Sequence, residues 1–72
     1  MASDGALPRV VVGVDSWAGR RWYAAHLLRR TATRAQVRWR EEAHVGRRRV
    51  TPGDVTWVPL GSVRQEGADD GE

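Results

Sequence analysis

The run Gln36-Val37-Arg38-Trp39-Arg40 constrains the fold more than any other stretch, because apolar Val37 and Trp39 alternate with charged Arg38 and Arg40. A period of two belongs to a strand with one dry face and one wet face, since successive side chains point to opposite sides of a pleated sheet. Neighbouring segments carry the same signature. Arg9–Val14 is β-branched and has no helical face, while Trp22–Arg29 places Tyr23, Ala25 and Leu27 on one side and Trp22, Ala24, His26 and Leu28 on the other. A helix over Trp22–Arg30 is the rival reading, because Ala24, Ala25, Leu27, Leu28 and Arg29 are good helix formers. It lacks an N-cap, since Arg20 and Arg21 precede it, and every segment around it reads as strand. Val50 opens a further candidate strand, interrupted by Pro52-Gly53-Asp54, and Val55–Val58 is another. Turns fall around Gly19, at Thr31–Arg34, at Gly46 and at Pro52-Gly53. Pro59-Leu60-Gly61-Ser62-Val63 is expected to form a single 3₁₀-like turn ahead of a short last strand.

Four or five short strands joined by tight turns imply an all-β domain, a small five-stranded antiparallel barrel over residues 9–65. The flanks, residues 1–8 and 66–72, are polar, glycine- and acid-rich, and are expected to be disordered tails. A chain of 72 residues buries only about 60% of its unfolded surface, so the core is marginal. No cysteine is present to staple it, which leaves four tryptophans, each able to bury roughly 150–250 Å², to supply much of the stability. A small barrel needs its ends plugged. Trp22 and Trp57 are assigned to that, with Trp39 as a third candidate.

All twelve basic residues are arginine, a bias that together with abundant Ala, Gly and Val fits a high-GC coding sequence. The distribution says more than the total. Residues 17–49 hold ten arginines against Glu41 and Glu42, a net of +8, whereas the flanks hold Arg9 and Arg64 against seven acids, a net of −5. A basic face attracts anionic partners at a strength that falls with salt. The plainer alternative is a solvated surface that keeps a small domain soluble. No apolar run approaches the roughly 18 residues of a membrane span, and the N-terminus has no signal-peptide pattern, so no membrane partner is expected. The expected location is intracellular: nuclear for a eukaryotic chain, cytoplasmic for a bacterial one.

Catalysis finds little support. His26 and His44 sit in different segments, and with no cysteine and few inward-looking carboxylates the sequence offers no tetrahedral metal set. Ser16 and Ser62 have no histidine and acid arranged beside them, and no glycine-rich loop opens a helix. Adjacent Glu41 and Glu42 would point to opposite faces of a strand and form no dyad. The chain is expected to be a binding module, not an enzyme, with neither metal nor cofactor.

Two candidate sites follow. Trp17 and Tyr23 flank the turn Ala18-Gly19-Arg20-Arg21, and Trp39 ends the next strand-like run. In a meander all three reach the same end of the barrel, beside Glu41 and Glu42. Aromatic faces around a small hollow with a carboxylate at hand suit a weakly hydrated cation. The same rings could equally be plain core. The second candidate is Arg47-Arg48-Arg49 together with Arg38 and Arg40, whose planar forks can donate paired hydrogen bonds to phosphates while nearby aromatics stack bases of a single strand.

From Val10 to Arg64 the chain resembles the Tudor-like family of small SH3-like barrels. The resemblance is carried by Val12–Leu27 (VGVDSWAGRRWYAAHL), Gln36–Glu42 (QVRWREE) and Trp57–Arg64 (WVPLGSVR). It implies a cage for methylated lysine or arginine built from Trp17, Tyr23 and Trp39. Glu41 or Glu42 would stand as the acid and His44 as the polar position that follows. An acid in the cage would favour lower methylation states, whose remaining N–H groups need an acceptor. The implied partner is a methylated peptide or protein. Two departures stand out: Glu42 or Val45 occupies the place of a fourth aromatic, and the Trp39–Trp57 connection is long and carries the arginine run. The second departure favours a different ligand, nucleic acid or an acidic protein, and an adaptor docking through its surface is the third reading.

Overall fold

The computed structural model describes residues 7–67, and these are all β apart from turns and one short 3₁₀ segment. The strands are β1 (Arg9–Ser16), β2 (Gly19–Arg30), β3 (Arg34–Trp39), β4 (Ala43–Val45), β5 (Arg48–Val50), β6 (Val55–Pro59) and β7 (Val63–Gln65). The Trp22 segment is therefore strand, and a 3₁₀ turn over Leu60–Ser62 leads into β7 as expected. Five strands form one antiparallel sheet in the order β6-β3-β2-β1-β7, and β4 and β5 form a separate hairpin.

Alternation puts one face of the sheet inward. Val10, Val12 and Val14 of β1, Ala25 of β2, Ala35, Val37 and Trp39 of β3 and Val58 of β6 are buried together. The hairpin contributes Ala43 and Val50 to the same core, so it covers the inner face of the sheet. Trp39 is the largest side chain buried there, at 1% exposure, and its indole N–H donates to Thr56 Oγ1 at 2.9 Å. A buried indole without that partner would lose the hydrogen bond it makes in water.

Several expectations are corrected. The sheet does not close into a barrel: β6 and β7 remain edges, and no ladder joins them among the described residues. Pro59 ends β6 with no N–H to donate, and the chain crosses from one edge to the other through the 3₁₀ turn. Val50 ends a strand instead of opening one, because the Pro52-Gly53 turn follows at once, with Gly53 at φ +98° and the Asp54 N–H bonded to the Thr51 carbonyl at 3.0 Å. Trp22 and Trp57 plug nothing. They lie on the outer face, 37% and 41% exposed, because each is out of phase with the inward residues of its strand. Two residues assigned to the tails are held to the sheet: Leu27 N–H donates to the Pro8 carbonyl, and the Glu66 carboxylate pairs with Arg40 at 3.0 Å. The remaining tail positions, 1–6 and 68–72, lie outside the described residues.

Trp39→Ala should cost about 3–5 kcal/mol, a large part of the stability of a domain this small. Trp39→Phe should keep the fold while losing about 1 kcal/mol with the bond to Thr56. Thermal unfolding followed by circular dichroism checks both, and an unaltered midpoint for the alanine variant would show that Trp39 is not the core's main filler.

Candidate functional site

The outer face of the sheet is assembled row by row from the strand registers. Asp15 faces Arg20, Gly13 faces Trp22, Val11 lies between Ala24 and Arg64, and Arg9 faces His26, which faces Arg38 and then Val55. The last row runs from Arg29 through Gln36 to Trp57. Arg29 reaches this face only because a β-bulge at Leu28 shifts the register between Leu27 and Arg29. Strict alternation would have sent it inward with Leu27; one extra residue turns it out.

Two guanidinium groups lie over the Trp22 indole on this face and one over that of Trp57. Arg64 lies 4.6 Å and Arg20 5.7 Å from the Trp22 ring centroid, and Arg29 lies 6.0 Å from that of Trp57. These distances are within the range of cation–π attraction. Arg29 is also tethered, its Nε donating to Gln36 Oε1 at 3.1 Å. Gly13 makes the Trp22 arrangement possible: a Cβ built there would stand 3.0 Å from the indole edge and 3.0 Å from Arg20 Cδ. The ring therefore lies against bare backbone of the neighbouring strand, where no other residue leaves room.

The acids near this surface are already engaged. Asp15 accepts from Arg20 Nε at 2.8 Å, and that hydrogen bond, with the charge of the guanidinium behind it, holds the carboxyl below its ordinary range and raises Arg20. The pair therefore favours the folded hairpin at neutral pH, and this contribution fades as pH falls through the lowered carboxylate value; both groups are exposed, so the effect is small. Glu66 is taken by Arg40. Arg9, Arg29, Arg38 and Arg64 have no carboxylate partner among the described residues.

The sequence-derived cage residues are only partly brought together. Tyr23 and Trp39 meet edge to face, ring centroids 6.4 Å apart, with Tyr23 half-buried and Trp39 buried. Trp17 stands apart at the tip of the β1–β2 hairpin, 98% exposed. Glu41 Oε2 accepts the Ala24 N–H at 2.7 Å, finishing the β2 edge where β3 has turned away. Glu42 pairs with Arg49, and His44 is exposed opposite Arg49 on the hairpin. A cavity of about 270 Å³ is lined by Pro8, Val10, Leu27, Leu60 and Val63 with Arg30 and Gln65, and a shallower one by Thr33, Arg34, Trp57 and Pro59. Neither is walled by Trp17, Tyr23 or Trp39.

The arginine set of the second candidate is divided by the sheet. Arg38 is exposed on the outer face, and Arg40 is engaged with Glu66. Arg47, Arg48 and Arg49 belong to the hairpin on the other side. Sequence reasoning missed Arg9, Arg20, Arg29, Arg64, Trp22 and Trp57 as one surface. The single signal for it was Gly13, an isolated glycine in a β-branched strand, which marks close approach of another group.

Among the described residues no group of three His, Asp or Glu side chains could hold a metal ion, and no helix is long and apolar enough to cross a membrane. Comparison with protein-family models, with curated proteins and with solved structures finds no match.

Gly13→Val should displace the Trp22 ring and the Arg20 stem, at a cost of about 1–3 kcal/mol while the sheet is retained. The check is the indole N–H resonance assigned to Trp22, which should shift while that of Trp39 stays in place. An unmoved Trp22 signal would refute the close packing.

Proposed function

We propose that this chain is a non-enzymatic binding module, a small SH3-like fold of Tudor type, that binds nucleic acid across the outer face of its sheet. The fold reading is supported by the meander of long strands, the 3₁₀ turn before the last strand and the motifs that resemble that family. One observation carries the ligand reading: a single exposed face gathers Arg9, Arg20, Arg29, Arg38 and Arg64 around two half-exposed indoles, while the nearby Asp15 and Glu66 are already paired. Arginine forks supply phosphate contacts and indoles supply stacking, the two parts that a sequence-tolerant nucleic-acid surface needs. The high arginine content alone would not support this, since a coding bias could account for it. The grouping of five of the twelve arginines with Trp22 and Trp57 on one face does.

The double variant Arg9→Glu/Arg38→Glu removes two cations that have no carboxylate partner among the described residues. It should weaken binding of a labelled oligonucleotide at least tenfold, and should flatten the log–log salt dependence by about 0.7–0.9 for each phosphate no longer neutralised. The hairpin variant Arg47→Ala/Arg48→Ala should leave affinity within about twofold, because those residues lie on the other side. Fluorescence anisotropy over a salt series reads both. Salt-independent binding, or a weakening confined to the hairpin variant, contradicts the assignment.

A second reading, recognition of a methylated lysine or arginine, has one observation in its favour: half-buried Tyr23 meets the edge of Trp39 close to where Glu41 is held on Ala24. A cage there would rely on Tyr23 and Glu41, since Trp39 has almost no free face and Trp17 stands apart. Titration with methylated and unmethylated peptides, followed through the Tyr23 ring resonances, separates the readings; equal shifts for both peptides remove the cage.

A further inference from the structure

The β1–β2 hairpin presents Trp17 in a way that packing does not explain. The indole is 98% exposed, so it contributes almost nothing to the core, yet the turn that carries it is well fixed. Ser16 Oγ donates to the Gly19 carbonyl at 2.9 Å and accepts the Ala18 N–H at 3.2 Å. Gly19 takes φ +114°, a conformation that side-chain-bearing residues rarely adopt, and the Asp15–Arg20 pair ties the two strands just below the tip. A rigid mount thus holds out a large aromatic plate that water solvates poorly. Its neighbours are cationic: Arg20 and Arg21 follow in the chain, and Trp22 with its two guanidinium groups lies one row further along the outer face.

We infer that Trp17 is the terminal stacking platform of the outer face, so that the ligand is a single strand whose last contacted base leaves its neighbours and lies on the Trp17 indole. The inference rests on the nucleic-acid reading above and narrows it to unpaired strands. In a duplex the base faces are already covered by neighbouring pairs, whereas in a single strand each base offers a free π face. From Trp57 and Arg29 at one end to the hairpin tip at the other, the track follows β2 for roughly 30 Å at about 3.3 Å per residue. At about 3.4 Å or more per nucleotide that length takes roughly nine nucleotides at most, within the roughly 4–16 that small barrels cover.

Binding is measured by anisotropy with labelled oligothymidylates of about three and about ten nucleotides and with a duplex of about ten pairs. Wild type, Trp17→Ala, Trp17→Phe and Arg9→Glu/Arg38→Glu are compared. Trp17→Ala should unfold at the wild-type temperature, should bind the long single strand about 5- to 100-fold more weakly, and should bind the short one as wild type does. Trp17→Phe should fall between. The red-edge tryptophan emission missing from Trp17→Ala should be quenched by the long strand in wild type. If Trp17→Ala binds the long strand as tightly as wild type while the arginine variant fails, the platform is wrong and the outer face stands. If neither variant loses affinity, both readings fall. Preference for the duplex overturns the platform, as does a blue shift of Trp17 emission on anionic vesicles without quenching by oligonucleotide.

Discussion

One indole organises this molecule. Trp39 is the largest side chain in a fully buried core otherwise made of valine and alanine, and Thr56 on the neighbouring edge strand satisfies its only polar side-chain atom. With cores this small the constraint is severe, because a single large side chain must supply what many medium ones supply elsewhere. Once Trp39 is fixed inward, the pleat fixes its strand: Val37 and Ala35 go in with it, and Arg38 and Gln36 go out. The register then passes this choice to β2 and β6. The outer surface is in this sense a by-product of filling the interior.

A sheet with one apolar face needs a cover, and here the β4–β5 hairpin is that cover. Ala43 and Val50 descend into the core while the arginines of the same hairpin stay in water. The arginine run that looks in sequence like the strongest anionic-ligand signal is thus the wet side of a lid. Arg49 is engaged by Glu42 across that lid. The face proposed to bind a polymer is the opposite one, where the cations come from four different strands and form no run in the sequence.

This division explains which parts of the structure were legible in the sequence. The strands β1, β2, β3 and β6 are long enough for alternation to show, and the turns at Gly19, Gly46 and Gly53 carry the residue that a positive φ demands. The β4–β5 hairpin was missed because three residues per strand are too few to establish a period, although Gly46 marked its turn. A bulge leaves no trace in composition, so the outward turn of Arg29 at Leu28 was unreadable. The closed barrel failed for a related reason: strand count is visible in a sequence, but whether two edges meet depends on how the last turn is built. The candidate cage residues come together only in part, because aromatic spacing gives the end of the sheet on which rings fall, not whether they enter the core. Trp39 entered it and Trp17 did not.

The four tryptophans therefore divide the work of a chain with no cysteine. Trp39 is interior filler. Trp22 and Trp57 are half-buried plates held under guanidinium groups, and for Trp22 the room is made by a glycine on the next strand. Trp17 is wholly outside. An exposed indole is unfavourable in water and offers a route to aggregation, so a fold of marginal stability gains nothing by carrying one on a fixed turn. A turn of this shape could be closed by any small polar residue while keeping the Ser16 and Gly19 hydrogen bonds that set it. What distinguishes Trp17 from such a residue is the flat apolar area it holds in water at the hairpin tip, and the proposed nucleic-acid reading gives that area an occupant, an unpaired base.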